Sequence, residues 1–280
     1  MNQMLSFNLH SSDYPPLSTN VLARAFCGGA LSELQLTPKP GLVDQDNSGS
    51  HPDLSFEIMQ HSVRLLESFY RELLLLEVPT LNMMDLKRIG IAAEQRMHQQ
   101  CGSNTHRGYI FLSGLTFLAA RNQRDVRAEI IQLAQIYFNH QLESSHGQAV
   151  RQRFATGGIV DECLHGLPAV FDYALPIYHH AMVQGDPQRA ALMMMAGLMQ
   201  VTEDTTSYHR CGSSGLKQIQ ADGVYLEKCL NDGVDVILWL RQRNALYQEM
   251  NLTMGGVADL MALTFALYEL IVTGVCDVSS

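Results

Sequence analysis

With 280 residues and 46% apolar content, the chain can bury a substantial core, and no stretch reads as a flexible interdomain linker. Its formal charge of −9 excludes the broad basic footprint that duplex nucleic acid requires, so any phosphate binding must be local. The cysteines (Cys27, Cys101, Cys163, Cys211, Cys229, Cys276) stand far apart with no C-x-x-C spacing, which argues for free buried thiols rather than a zinc or redox motif.

Residues 1–18 read as an N-terminal tail. Asp13, Pro15, Pro16 and several serines leave no basic start and no apolar run of a secretory signal, so a cytoplasmic protein is expected. Residues 19–280 read as a single all-α catalytic domain, a multi-helix bundle, because apolar residues recur at helical spacing and few segments alternate with period two. A first helix from about Thr19 must stop before Pro38. Phe56, Met59, Val63, Leu66, Tyr70 and Leu73 form a clear stripe, with Asp53 or Ser55 placed to cap it. Val126, Ile130, Leu133 and Tyr137 form another, as do Leu192, Met195, Ala196 and Met199, and then Val234, Ile237, Leu238 and Arg241. Met193, Met194 and Met195 are expected to fill core space. The apolar run Val257 to Cys276 contains Asp259 and Glu269 and reads as a buried helix rather than a bilayer span.

Five polar, glycine-bearing junctions separate these helices. The first carries Lys39, Asp44, Asp46, Asn47, His51 and Asp53 between prolines and glycines: a lysine to meet phosphate, and carboxylates of which magnesium on a polyphosphate needs only one or two. The second, Asn104-Thr105-His106-Arg107-Gly108, opens an apolar helix, and its amides with Arg107 suit an anion, although in isolation Asn104 or Thr105 acting as a plain cap explains it better. The third places Asp161 and Glu162 after Gly157-Gly158; the fourth runs Glu203-Asp204-Thr205-Thr206 to Arg210; the fifth is Asn251 to Asp259 with Gly255 and Gly256. Each taken singly is open to a plain helix-capping reading.

In order along the chain, Thr37-Pro-Lys-Pro-Gly-Leu-Val-Asp44 with Asn47-x-Gly-x-His51, Asn104-Thr-His106-Arg107-Gly108, Ser145-His146-Gly147, Glu203-Asp204-Thr205 with Arg210, and Asn251-Leu-x-x-Gly255-Gly256-x-Ala258-Asp259-Leu260 resemble the motifs of the triphosphoribosyl-dephospho-CoA synthases. The match departs from the family pattern at Val160, where arginine is usual, at Leu167, where an aromatic is usual, at Thr206 for asparagine and at Cys211 for glycine. The resemblance implies transfer of the triphosphoribosyl group of ATP to 3'-dephospho-CoA with release of adenine. The product is the prosthetic-group precursor for the acyl carrier protein of citrate lyase or malonate decarboxylase, consumed by a downstream phosphoribosyl-dephospho-CoA transferase. It implies magnesium, with Asp44, Asp204 and Asp259 as ligands or bases and Glu162 beside them. Phosphate falls to Lys39, Arg107 and Arg210, and substrate orientation to Asn47, His51, Asn104, Thr105, His106, Gly255 and Gly256. A diverged, non-catalytic nucleotide-binding or assembly partner and a metal-dependent nucleotide or ADP-ribose hydrolase are the alternatives. A reaction needing cations, a base and two bulky substrates cannot be served by one loop, so Asp44, Asn104, Asp204 and Asp259 are expected to converge.

Overall fold

A computed structural model describes residues 20–76, 83–103, 105–122, 125–142 and 158–275; Asn104, Ser145, His146, Gly147, Gly157 and Cys276 lie outside them. Helix α1 (Val21–Gln35) starts where Asn20 accepts from the Ala23 amide and ends ahead of Pro38, as the proline demands. Helix α2 (Phe56–Leu74) is capped by Ser55, not Asp53, and buries Val63, Leu66, Tyr70 and Leu73 from the expected stripe. Then come α3 (Met83–Cys101), α4 (Arg107–Arg121), α5 (Val126–Leu142) and the short α6 (Ile159–Leu164). A π-helical turn, Ala169–Ala174, runs directly into α7 (Leu175–Val183). Helix α8 (Pro187–Val201) is capped by Asp186, and α9 (Thr205–Asn231) by Asp204, with a break at Gly212. Helices α10 (Ile237–Glu249) and α11 (Gly255–Val272) complete the bundle. No strand is present among the described residues.

Helix α11 is the axle. It is long and apolar enough to cross a membrane, yet Val257, Leu260, Met261, Leu263, Ala266, Leu267 and Leu270 are buried against α1, α4, α8 and the π turn. Gly29 of α1 sits so close to it that a Cβ would run into the Ala262 carbonyl. Phe26 of α1 forms an aromatic knot with Tyr70 and Phe117, with Tyr70 stacked on Phe117 at 5.2 Å. Met194 and Met195 fill the core under α8, as expected, together with Met199, while Met193 is half-buried against it. Cys27, Cys163 and Cys229 are buried, Cys101 and Cys211 half-buried, and all five are free thiols.

One stripe faces the other way. Val234 and Leu238 are exposed and Arg241 points to solvent, where it meets Asp46 at 3.2 Å; the buried face of α10 is Leu240, Asn244 and Tyr247. Polar atoms set this rotation: Tyr247 donates to Asp222 Oδ2 at 3.0 Å and Asn244 bonds to the first junction, so two hydrogen-bonding side chains win over two apolar ones.

Candidate functional site

The first junction is held from inside. Asp44 accepts the amides of Lys39 (2.9 Å), Asp46 (2.9 Å) and Asn47 (3.1 Å), stapling its own loop. Asn47 Oδ1 accepts from Gly49 N, Asn244 Nδ2 and Gln248 Nε2, while Asn244 Oδ1 accepts the Gly41 amide at 2.9 Å. Gly41 has φ of 70° and lies against the Leu252 carbonyl, which a side chain would strike, so this junction requires glycine there. The Thr37–Pro38 peptide is cis. Lys39 is completely buried: its ammonium donates to the Glu33 carbonyl and, at 2.5 Å, to Glu33 Oε1. The lysine expected to reach phosphate therefore caps the C-terminus of α1 and neutralises a buried glutamate.

A second set of carboxylates ties helix starts together. Asp204 Oδ1 accepts from Ser207 N at 2.9 Å, capping α9, and its Oδ2 accepts from Gly256 N at 2.7 Å and Val257 N at 3.3 Å, capping α11 as well. Gly256 is glycine because a Cβ would stand 3.0 Å from that same oxygen. Asp259 reaches across to the start of α4, where it accepts the Tyr109 amide, and a Cβ on Gly108 would overlap its Oδ2. The anion at the α4 N-terminus is thus a side chain of the protein. Gly158, at the start of α6, packs on Thr205, and Ile159 packs on Gly108, so the N-termini of α4, α6, α9 and α11 meet.

Burial drives the electrostatics of this meeting point. The Asp259 carboxyl is pushed well above the ordinary carboxylate range by desolvation first, then by the neighbouring charges of Asp204 and Glu33. Asp204 is raised by burial against the pull of its backbone amides, and Glu33 by burial against the attraction of Lys39, with Asp44 adding to the rise. Asp44 acts on Glu33, and Glu33 and Asp204 act on Asp259, so these carboxylates feel one another in series; Asn104 lies outside the described residues. Glu162, raised mainly by burial, accepts the Ala169 amide at 3.1 Å.

Above Asp204 opens a cleft of about 190 Å³ lined by Gly158, Asp161, Glu162, Thr202, Glu203, Asp204, Thr206 and Gly256. It carries four acidic side chains and no lysine or arginine among the described residues. The same residues give no preformed metal centre: no three His, Cys, Asp or Glu groups are placed to hold an ion, and both oxygens of Asp44 and of Asp204 are engaged by amides. Asp44, Asp204 and Asp259 do not come together as a ligand triad, because each is seated on backbone N–H groups at a different helix or loop. What fits this donor set is a cation already carried on phosphate, needing one or two protein oxygens.

The remaining candidates frame this region. Arg210 donates to Ser50 O (2.8 Å), Asn251 Oδ1 (3.3 Å) and His51 Nδ1 (3.5 Å) and stays exposed. Arginine is a donor only, so the His51 Nε2–H donates to Thr253 Oγ1 at 2.8 Å; burial and Arg210 lower the His51 pKa. His106 is buried and driven down to about 4 by desolvation; the Ser62 hydroxyl donates to Met59 O, so it accepts from His106 Nδ1–H at 2.8 Å. Thr105 lies 3.2 Å from the same nitrogen, Arg107 is exposed beside Glu94 at 3.8 Å, and Gly255 flanks Thr206. Sequence reasoning missed Glu33 and Asn244; the signal for Asn244 was its place four residues after Leu240, on a face that Tyr247 continues.

A protein of Pectobacterium carotovorum named "Probable 2-(5''-triphosphoribosyl)-3'-dephosphocoenzyme-A synthase" is 34% identical over 259 residues, 85% of each chain. Proteins with the same name from Azotobacter vinelandii (31% over 271 residues, 87% of this chain and 89% of the relative) and Streptococcus pyogenes (29% over 268 residues, 84% and 91%) are also similar. No solved structure matches the chain. The family described as ATP:dephospho-CoA triphosphoribosyl transferase matches residues 19–276, spanning every helix start that builds the acidic cleft, and the chain belongs to that family.

Proposed function

We propose that the acidic cleft over Asp204 is where this transferase carries out its reaction, binding the ribose of ATP while a ribose hydroxyl of 3'-dephospho-CoA attacks C1 and displaces adenine. The C1–N bond breaks as the C1–O bond forms, and the hydroxyl proton leaves to a base while adenine takes one up. The carbon passes through an oxocarbenium-like state, which is cationic, and a cleft walled by carboxylates, with no lysine or arginine among its described residues, stabilises it. That charge pattern is the observation that supports the reading.

Glu162, whose pKa burial raises, is suited to give a proton to the departing adenine. Glu203, exposed at the rim, would hold a magnesium ion carried on the triphosphate, which would supply charge neutralisation. Arg107 and Arg210, exposed on the flanks, take phosphate oxygens. Asp44, Asp204 and Asp259 act by positioning the loop and the helix starts. The product fits the prosthetic-group route of citrate lyase or malonate decarboxylase, with the downstream transferase and acyl carrier protein as indirect partners, and the cytoplasm as working compartment.

Incubation with ATP, magnesium and 3'-dephospho-CoA is expected to release free adenine and yield a correspondingly heavier CoA derivative, with both signals lost reversibly in chelator. Nucleotide binding without adenine release would favour the non-catalytic reading; full turnover in chelator, with metal content checked, would remove the cation. The departures at Thr206 and Cys211 give that alternative little support, since Thr206 keeps its amide on Asp204 and Cys211 bonds to the Met250 carbonyl.

A further inference from the structure

Thr202 lies between α8 and α9, and its backbone amide closes α8 by donating to Leu198 O at 2.9 Å. Its side chain does nothing comparable. The residue is 4% exposed and is among those lining the acidic cleft, and its buried hydroxyl has no hydrogen-bond partner among the described residues. A buried hydroxyl left without a partner is costly, and valine has nearly the same shape, so a purely structural position here would be better served by valine.

The surroundings say what the partner is. Neighbouring Asp161, Glu162, Glu203 and Asp204 offer acceptors and repel phosphate, and the amides at the starts of α9 and α11 are already occupied by Asp204. A group that can both donate to a carboxylate and exchange hydrogen bonds with a threonine is an alcohol. The cleft, at about 190 Å³, is smaller than the usual pocket for a whole cofactor-sized ligand but adequate for a pentose.

We infer that Thr202 is a substrate-contacting specificity residue, its hydroxyl pairing with a sugar hydroxyl of the nucleotide bound in the acidic cleft. The inference rests on the placement of ATP proposed above. It predicts that the enzyme distinguishes ATP from 2'-deoxy-ATP or 3'-deoxy-ATP partly through this one oxygen.

The test compares wild type, Thr202→Val and Thr202→Ser with ATP and with both deoxy analogues, measuring adenine release at saturating 3'-dephospho-CoA alongside thermal midpoints. Thr202→Val should fold with an unchanged or higher midpoint, raise KM for ATP about tenfold with a smaller change in kcat, and lose most of the discrimination against one deoxy analogue; Thr202→Ser should restore it. An unchanged KM and unchanged discrimination in a folded Thr202→Val protein would overturn the inference and leave the reaction standing. Absence of adenine release from wild type would instead bring down the reading on which it rests.

Discussion

Two residues carry consequences that their types alone do not suggest. Lys39 looks like a phosphate ligand by composition but is locked on Glu33, so Lys39→Met should act first on the fold: the partner carboxylate would be stranded in the core, costing about 3–5 kcal/mol. Chemical denaturation measures this, and a Met variant of normal stability with weakened ATP binding would return the lysine to the substrate. His106 is neutral when folded, with its pKa at about 4, against an ordinary value near 6.5 when unfolded. Between those values the unfolded chain binds more protons, so the stability contributed by His106 is complete above about pH 6.5 and falls as pH drops towards 4. His51 acts in the same direction, whereas Glu33, Glu162, Asp204 and Asp259, all raised, act oppositely. The difference between wild type and His106→Gln isolates one contribution: the variant should lose less stability from pH 7 to 4.5, and parallel curves would clear His106.

At the scale of elements, the site is an arrangement of helix beginnings, two of which, those of α4 and α11, are closed by an acid from another part of the chain. Asp204 caps its own α9 and also α11, whose amide lies 52 residues onward; Asp259 of α11 closes α4. Gly108→Ala tests this arrangement, because one methyl group would displace the Asp259 carboxylate from the Tyr109 amide. The expected loss is about 1–3 kcal/mol with a marked fall in turnover, and an alanine variant of unchanged midpoint would show that Asp259 sits elsewhere. Much of this was legible in the sequence: the ordered junctions, their acids and glycines, and the ends of α1 and α2 all follow from proline, capping and stripe rules. Partners were not legible, since nothing local tells Asp204 that its second cap is Gly256. The facing of α10 was misread for a related reason, because Val234 and Leu238 look inward by hydropathy until Asn244 and Tyr247 find partners inside.

Across the whole molecule, the bundle gathers like charges in one place and holds them there with backbone dipoles. The net charge of −9 is therefore more than a surface property, since Glu33, Asp44 and Asp204 are buried and Asp259 is half-buried. Such a centre suits a cationic transition state and is unfavourable when empty. The clasp on the first junction adds a constraint in time. Asn244 holds Gly41 and Asn47, and Thr253 holds His51, from about 200 residues downstream. During synthesis the N-terminal third emerges long before these fasteners exist, and α1 waits equally long for α11. A nascent chain on the ribosome carries the Thr37–His51 segment unclasped, so the capacity to act on ATP arrives abruptly with the last helices rather than growing as the polypeptide lengthens.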